Sequence, residues 1–362
     1  MIELKEGKAI EILAEDEETQ ELLVDVEGSL EKAICYFNLT GKVRVGDRLL
    51  LNTTAVTLKL GTGGFHFVVA NFSRPWQSLK GPGHIIKLRY TPLQLKCLAA
   101  EEEGSPYHVA VQNFQSLKGM PVVVCSLHSQ LLPVIAGINS QNKNLRVAYL
   151  MSDQGALPIA FSKTVKNLRK KGLICGTITF GHAFGGDIEA VNVYSALILA
   201  KVALKADVAV IAMGPGNVGT GTKWGSTALA QGEYLNAVKI LGGCPIMVPR
   251  VSFADPRERH FGLSHHSLTV INEIALVDFF LALPELKDYK KKERLLEQTK
   301  AFSQRVQVHY FPEEFLNKLL LEEVENLSTM GRDFTSDREF FLTAAAGGVL
   351  AVEMQKRVEK NG

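Results

Sequence analysis

The first 75 residues alternate apolar and polar positions in short bursts. Ala9–Leu13, Glu21–Val26, Lys32–Leu39, Arg48–Asn52 and Phe65–Ala70 read as strands, and Glu27-Gly28-Ser29, Gly46-Asp47 and Gly61-Thr62-Gly63-Gly64 read as the turns between them. Short strands at this spacing predict a small all-β, barrel-like domain over 1–75. Residues 76–120 connect it to the rest of the chain. Lys80-Gly81-Pro82-Gly83 is a turn, and Ile85–Tyr90 and His108–Phe114 are candidate strands that extend the barrel or bridge onward.

From Pro121 the rhythm changes. Val122–Leu127, Arg146–Met151, Ile174–Phe180, Asp207–Met213 and Pro245–Val251 are apolar strands, each followed by a helical pattern. The helices are expected at Leu131–Ile138, Pro158–Lys171, Ile188–Lys205, about Lys223 to Leu241, and Ser264–Ala275. Five β-then-α units with strands apolar on both faces predict an α/β fold over 121–310. Its sheet is doubly wound and mostly parallel, Rossmann-like or flavodoxin-like. Val277–Leu283 and Val306–Tyr310 add edge strands around a charged helix at Lys287–Phe302. Residues 311–362 read as helices packing on this domain. Pro312–Asn326 opens with Pro and two Glu, and Ser336-Asp337-Arg338-Glu339 fits a capping box. The run Ala344-Ala345-Ala346-Gly347-Gly348 lets another backbone approach closely. Packing on the domain core is the expectation, with contact to a partner as the alternative.

Composition narrows the function classes. The formal charge is +2 over 362 residues, so no global field points to nucleic acid or an anionic membrane. The barrel segment carries 12 acidic against 8 basic side chains, a sign that opposes phosphate tracking. No run reaches the roughly 18 apolar residues of a spanning helix, and the acidic N-terminus lacks a signal-peptide pattern. The five cysteines are scattered, without a Cys-x-x-Cys pair, which argues against a disulfide framework or a zinc ribbon. A bacterial-type cytoplasmic protein is the simplest expectation.

In an open α/β sheet, ligands bind outside the carboxyl ends of the strands. The unusual residues fall there five times. They are Ser126-Leu127-His128-Ser129-Gln130, Ser152-Asp153-Gln154-Gly155, Gly181 to Asp187, Gly214 to Thr222, and Arg250 to His260 leading to Ser264-His265-His266-Ser267. Ser129, Asp153 and Thr222 also suit helix caps and turns. Capping does not explain His128, His182, His260, His265 and His266 at one expected edge.

Gly214, Gly216, Gly219, Thr220, Gly221 and Thr222 form the best single loop. Its glycines free backbone N–H groups for an anion, and the expected helix after it adds a positive dipole end. Gly214-x-Gly216-x-x-Gly219 matches the dinucleotide fingerprint in form, but it lies on the fourth unit and Pro215 stiffens it. No acidic residue ends the next strand. We read an anion loop, neither an NAD site nor a Walker loop, and assign no cofactor. Gly185-Gly186-Asp187 before a helix is a second anion candidate. Arg250 and Arg257 are candidate clamps for carboxylate or phosphate.

The expected chemistry is acid–base work by His128 and His182, oriented by Asp153, Asp187 or Asp255. If the strand order is of the six-strand dinucleotide type, His128 faces the Gly214 loop. If it is flavodoxin-like, His128 faces His182. No Gly-x-Ser-x-Gly elbow is present, and no His-x-x-x-His spacing supports a metal. Cys125 reads as a small core residue, and His265 and His266, about 100° apart on a helix, should not both face the cleft. The partner expected is a small anionic, phosphorylated or nucleotide-like metabolite. The alternatives are a metabolite-binding regulatory module and a metal-dependent hydrolase.

Several of these segments together resemble a known family. Leu127-His128-Ser129-Gln130, Gly181 to Asp187, Gly214-Pro215-Gly216 with Gly219-Thr220-Gly221-Thr222, Arg250 to Arg257, and Ser264 to Thr269 are similar to the bacterial family called domain of unknown function 3866. The resemblance runs from Gly61-Thr62-Gly63-Gly64 to Ser328-Thr329-Met330-Gly331-Arg332. It implies no particular activity.

Overall fold

A computed structural model describes residues 1–361. The chain divides into two compact units, Met1–Leu98 and a second from Ala99 onward.

In the first unit, β1 (Leu4–Glu15), β2 (Thr19–Val26), β3 (Ser29–Tyr36), β4 (Arg48–Asn52) and β5 (Phe65–Asn71) close into a barrel of order β1-β2-β3-β5-β4. Closure leaves no free sheet edge. Strand β1 pairs with both β2 and β4 and is bulged against β2 at two places, which supplies the bend a small barrel needs. Alternate residues point inward, so Leu22, Val24, Ala33, Cys35, Leu49 and Leu51 form the core. Beyond the barrel, β6 (Ile85–Lys87) and β7 (Leu95–Cys97) make an antiparallel ribbon. The expected strand Ile85–Tyr90 is therefore short and pairs with β7 alone. His108–Phe114 is not a strand either: His108–Gln112 is a short helix.

The second unit holds an eight-stranded sheet in which every pairing is parallel. Its strands are β8 (Pro121–Cys125), β9 (Val147–Ser152), β10 (Gly176–Phe180), β11 (Ile188–Ala190), β12 (Val208–Met213) and β13 (Cys244–Val248). A two-residue pair, β14 (Val251–Ser252) and β15 (Gly262–Leu263), stands outside the sheet, which β16 (Phe279–Glu285) and β17 (Val306–Pro312) complete. The order is β11-β10-β9-β12-β8-β13-β16-β17. Neither expected order is realised, because β12 inserts between β9 and β8. Strand one still lies beside strand four, as in the dinucleotide type. Val277–Leu283 maps to β16, which is an interior strand; the edges are β11 and β17.

Ile188–Lys205 is not one helix. Ile188–Ala190 pairs with β10, and the helix runs Val193–Val202 behind an Asn192 cap that accepts from the Tyr194 and Ser195 N–H groups at 2.9 and 3.1 Å. The capping box expected at Ser336 is also absent. The Ser336 hydroxyl donates to Asp333 at 2.7 Å, and the Glu339 carboxylate takes Lys291 at 2.6 Å instead.

Both faces of the sheet are covered. Helices Leu131–Gln141, Lys163–Lys170 and the C-terminal Arg338–Asn361 build one core, while Val193–Val202, Ala230–Ile240 and Tyr289–Thr299 build the other. The chain leaving β8 thus goes to one face, and the chains leaving β12 and β13 go to the opposite face. Such a divergence opens a crevice outside the carboxyl ends of neighbouring strands. The small-residue run of the C-terminal helix packs inside this unit, against helix Leu131–Gln141. Among the described residues no helix is long and apolar enough to cross a membrane.

Candidate functional site

A cavity of about 20 Å³ sits in that crevice. Ser126 and Leu127 follow β8, Asn217 and Ser226 follow β12, and Arg250, Ser264, His266 and Ser267 follow β13; together with Gln231 they line it. This volume holds roughly one water or one ligand atom, and Leu127, Ala228 and Val270 make part of its wall apolar.

Arg250 anchors the cavity. It is 7% exposed, and burial would favour its neutral form, so it needs partners. Its Nη2 donates to Asp255 at 2.6 Å and its Nη1 to His260 Nδ1 at 3.3 Å, while its backbone N–H donates to Ser267 Oγ at 2.9 Å. Asp255 also accepts two guanidinium bonds from Arg257, at 2.8 and 2.7 Å. Hydrogen bonding from Arg257, helped by the Arg250 charge, holds its carboxyl well below the usual carboxylate range. Nearby, buried Asp337 accepts from Ser252 at 2.8 Å and from Arg332 at 2.9 Å, and burial pushes its carboxyl up. Three guanidinium groups thus face two carboxylates, and the local field stays positive.

The histidines respond to that field. His260 is pushed down to about 3, by burial first and then by Arg250 and Arg257. Burial, the His266 charge and nearby arginines push His265 down to about 4. Both are neutral at pH 7. An arginine can only donate, so His260 Nδ1 carries the lone pair. His266 Nε2 faces the Thr222 carbonyl at 3.1 Å, which only accepts, so Nε2 holds the proton and Nδ1 is the base. Of the two adjacent histidines, His266 lines the cavity and His265 does not, although their rings are neighbours. Their rings lie 3.8 Å apart at 34°, with His260 at 5.1 Å from His265. The His260 ring meets His265 edge-on, and among the described residues no group of three or more His, Cys, Asp or Glu is disposed to hold a metal ion.

His128 lies beside the Gly214 loop but is turned inward. Its Nδ1 donates to the Met213 carbonyl at 3.0 Å and its Nε2 accepts from Ser162 Oγ at 2.7 Å. Burial pushes the ring down to about 4. Ser162 in turn caps helix Lys163–Lys170 by accepting from the Val165 N–H at 3.0 Å. The pair braces three chain segments, and Ser162 is only 2% exposed. Ser162→Ala removes the cap and the donor to His128 at once. It is expected to cost about 1–2 kcal/mol, read as a lower urea midpoint with an unchanged slope; an unchanged midpoint would refute the brace.

The remaining expected residues divide by place. Asp153 accepts from the His182 backbone N–H at 2.9 Å, so the loops after β9 and β10 meet, away from Arg250 and its partners. Asp187 leaves the rim. It accepts from Thr177 N and Oγ1, both at 2.8 Å, and pairs with Arg169. Thr177 is the second residue of β10, so Asp187 sits at the amino half of that strand. The chain from Gly181 doubles back before β11 begins, so Gly185-Gly186-Asp187 does not open a helix. Gln130 is a loop clamp: Oε1 accepts from the Ser126 and Leu127 N–H groups at 2.8 and 3.1 Å, and Nε2 donates to the Pro249 carbonyl at 3.0 Å. Ser129 Oγ meets Thr329 Oγ1 at 3.0 Å. Buried Cys125 is a core thiol whose pKa burial pushes up.

The glycine loop also differs from expectation. Gly219 bridges Ser226, and the Thr220 N–H donates to Gly225 at 2.7 Å, so Val218–Thr227 folds back on itself before helix Ala230–Ile240 starts. The loop therefore does not present its amides at a helix N-terminus. Gly214 and Gly155 serve a close approach instead. A Cβ on Gly155 would lie 2.1 Å from the Gly214 carbonyl oxygen, and one on Gly214 would lie 2.3 Å from that of Ala156. Asn217 and Ser226 are what this segment gives the cavity.

Ser264 and Ser267 were placed at the rim by the sequence but given no role, whereas Ser162, Ser226, Gln231, Arg332 and Asp337 were missed as participants. Only Ser264-x-x-Ser267 carried a usable signal, since positions three apart share a helix face.

A family model described as a protein of unknown function (DUF3866) matches residues 32–348. The chain belongs to the DUF3866 family. The DUF3866 match starts within β3 and ends in the C-terminal helix, so it takes in every residue of the cavity. No curated protein and no solved structure matches the chain.

Proposed function

We propose that the second unit binds a small anionic metabolite at the carboxyl ends of β12, β8 and β13 and acts on it as an enzyme. One observation carries the reading: a cavity at the topological divergence, lined by a buried arginine, four serine hydroxyls and an asparagine. Three guanidinium groups against two carboxylates favour an anion there, and the Asn217 amide with the Ser226 and Ser267 hydroxyls supplies neutral donors for its oxygens. Phosphorylated or carboxylated ligands fit this chemistry. For proton transfer, His266 replaces His128 as the candidate. It lines the cavity and keeps a lone pair on Nδ1, whereas both nitrogens of His128 are engaged.

A second reading, a metabolite-binding regulatory module, is favoured by the internal engagement of His128, His260 and Asp255. Retention of a bound metabolite without turnover would support it over the enzyme.

The test is calorimetry with inorganic phosphate on the full chain and on Asn217→Ala and Arg250→Lys. Wild type should bind, and each variant should lose about tenfold or more in affinity, the scale of one charge-assisted hydrogen bond. Equal affinity in all three proteins, or no binding by any, defeats the proposal.

A further inference from the structure

Gln231 is the one cavity residue with an unmet hydrogen-bonding need. It sits in the first turn of helix Ala230–Ile240 and is 2% exposed. Its Nε2 donates to the Val124 carbonyl at 2.7 Å and the Val248 carbonyl at 2.8 Å, near the ends of the adjacent strands β8 and β13. Carbonyl oxygens only accept, so the amide nitrogen must face them and the orientation of the amide is fixed. Its Oε1 is left without a partner among the described residues. A buried acceptor with no donor is costly and calls for an explanation. Here it belongs to a wall of a cavity with room for about one ligand atom or water.

The rest of the wall offers the opposite complement. The Arg250 guanidinium has five N–H donors, of which Asp255 and His260 take two. The Ser226 and Ser267 hydroxyls and the Asn217 amide add to it, while the Ser126 and Ser264 hydroxyls donate inward, to Gln130 Oε1 and His260 Nδ1. A guest made only of acceptors would satisfy that side and leave Gln231 Oε1 facing an oxygen. A single guest hydroxyl oxygen, which donates one hydrogen bond and accepts others, satisfies both.

We infer that Gln231 makes the site selective for oxyanions that carry a hydrogen-bond donor, such as a protonated phosphate or an α-hydroxy carboxylate, over oxyanions that carry none. The inference rests on the anion-site reading above and adds the ligand class to it. Gln231 is the specificity-determining residue: its acceptor is held in place by two strands before the ligand arrives. Sites built around a ligand hydrogen bond reject analogues lacking the donor strongly, because the protein group is then left unpaired.

Inorganic phosphate and sulfate form the probe pair. They are alike in shape, but phosphate keeps at least one proton at pH 7 and sulfate keeps none. Glycolate and acetate form a second pair, differing by one hydroxyl. Calorimetry on the full wild-type chain should give phosphate at least about tenfold tighter than sulfate, and glycolate tighter than acetate. Gln231→Met, of similar length but with no acceptor oxygen, should bring phosphate and sulfate within about twofold. The wild-type comparison stands by itself if that variant fails to fold. Equal binding of phosphate and sulfate by wild type overturns the role of Gln231 while leaving the anion site intact; binding of neither overturns both.

Discussion

Asp255→Ala is expected to destabilise the second unit by about 3–5 kcal/mol, the usual cost of stripping a buried ion pair of one partner. Asp255 and Arg250 are both almost fully enclosed, and their bond is 2.6 Å long. Removing the carboxylate strands a buried guanidinium beside His260 and leaves exposed Arg257 without its partner. Much of the loss is the desolvation of Arg250 that nothing then repays. The pH dependence has a defined sign. The Asp255 carboxyl is held below its unfolded value, so its contribution is complete above about pH 4 and drains away as pH falls toward the folded value. Asp337 works in the opposite direction: burial raises it, so protonation relieves it as pH falls. Urea unfolding at pH 7 and pH 3 should show a large Asp255→Ala deficit at the first and a smaller one at the second. A deficit under about 1 kcal/mol at pH 7 would contradict the buried pair.

Gly348→Ala is expected to cost about 2 kcal/mol. A Cβ there would lie 2.1 Å from the Val134 carbonyl oxygen, and one on Gly137 would lie 2.3 Å from that of Ala345. Helix Leu131–Gln141 and the C-terminal helix cross with glycine on both sides, so backbone meets backbone. Overpacking costs about 1–3 kcal/mol, and rigid backbone on both sides puts this case at the upper end. Alanine returns about 1 kcal/mol of helix propensity, which leaves the net figure. Gly347→Ala is the control. Its Cβ would meet the Val248 side chain at 2.5 Å, and a side chain yields more readily than a carbonyl. If thermal unfolding ranks the two variants the other way, the crossing is not the tight contact described.

The parallel sheet was legible because Val122–Cys125, Val208–Met213 and their kin are continuous apolar runs bounded by turn residues. Its order was not. Order depends on which face each helix chooses, and that choice lies in packing between segments far apart in sequence. Strand β11 was hidden because Ile188-Glu189-Ala190 continues smoothly into a helical pattern. The same doubling-back carried Asp187 away from the rim. The loops of the site could be named from sequence, but the engagement of each side chain could not. Ser162 is 34 residues from His128 and Asp337 is 85 from Ser252, and nothing local marks either pair. Nothing local singles out Gln231 within the helix expected from about Lys223 to Leu241; only the two strand carbonyls it reaches reveal its role.

The most direct measurement is a crystal structure of the full chain grown with inorganic phosphate. The predicted result is an ordered phosphate with one oxygen seated in the cavity, in contact with Arg250 and within hydrogen-bond distance of Gln231 Oε1. Phosphate seated elsewhere on the unit, with this cavity holding only water, would contradict it.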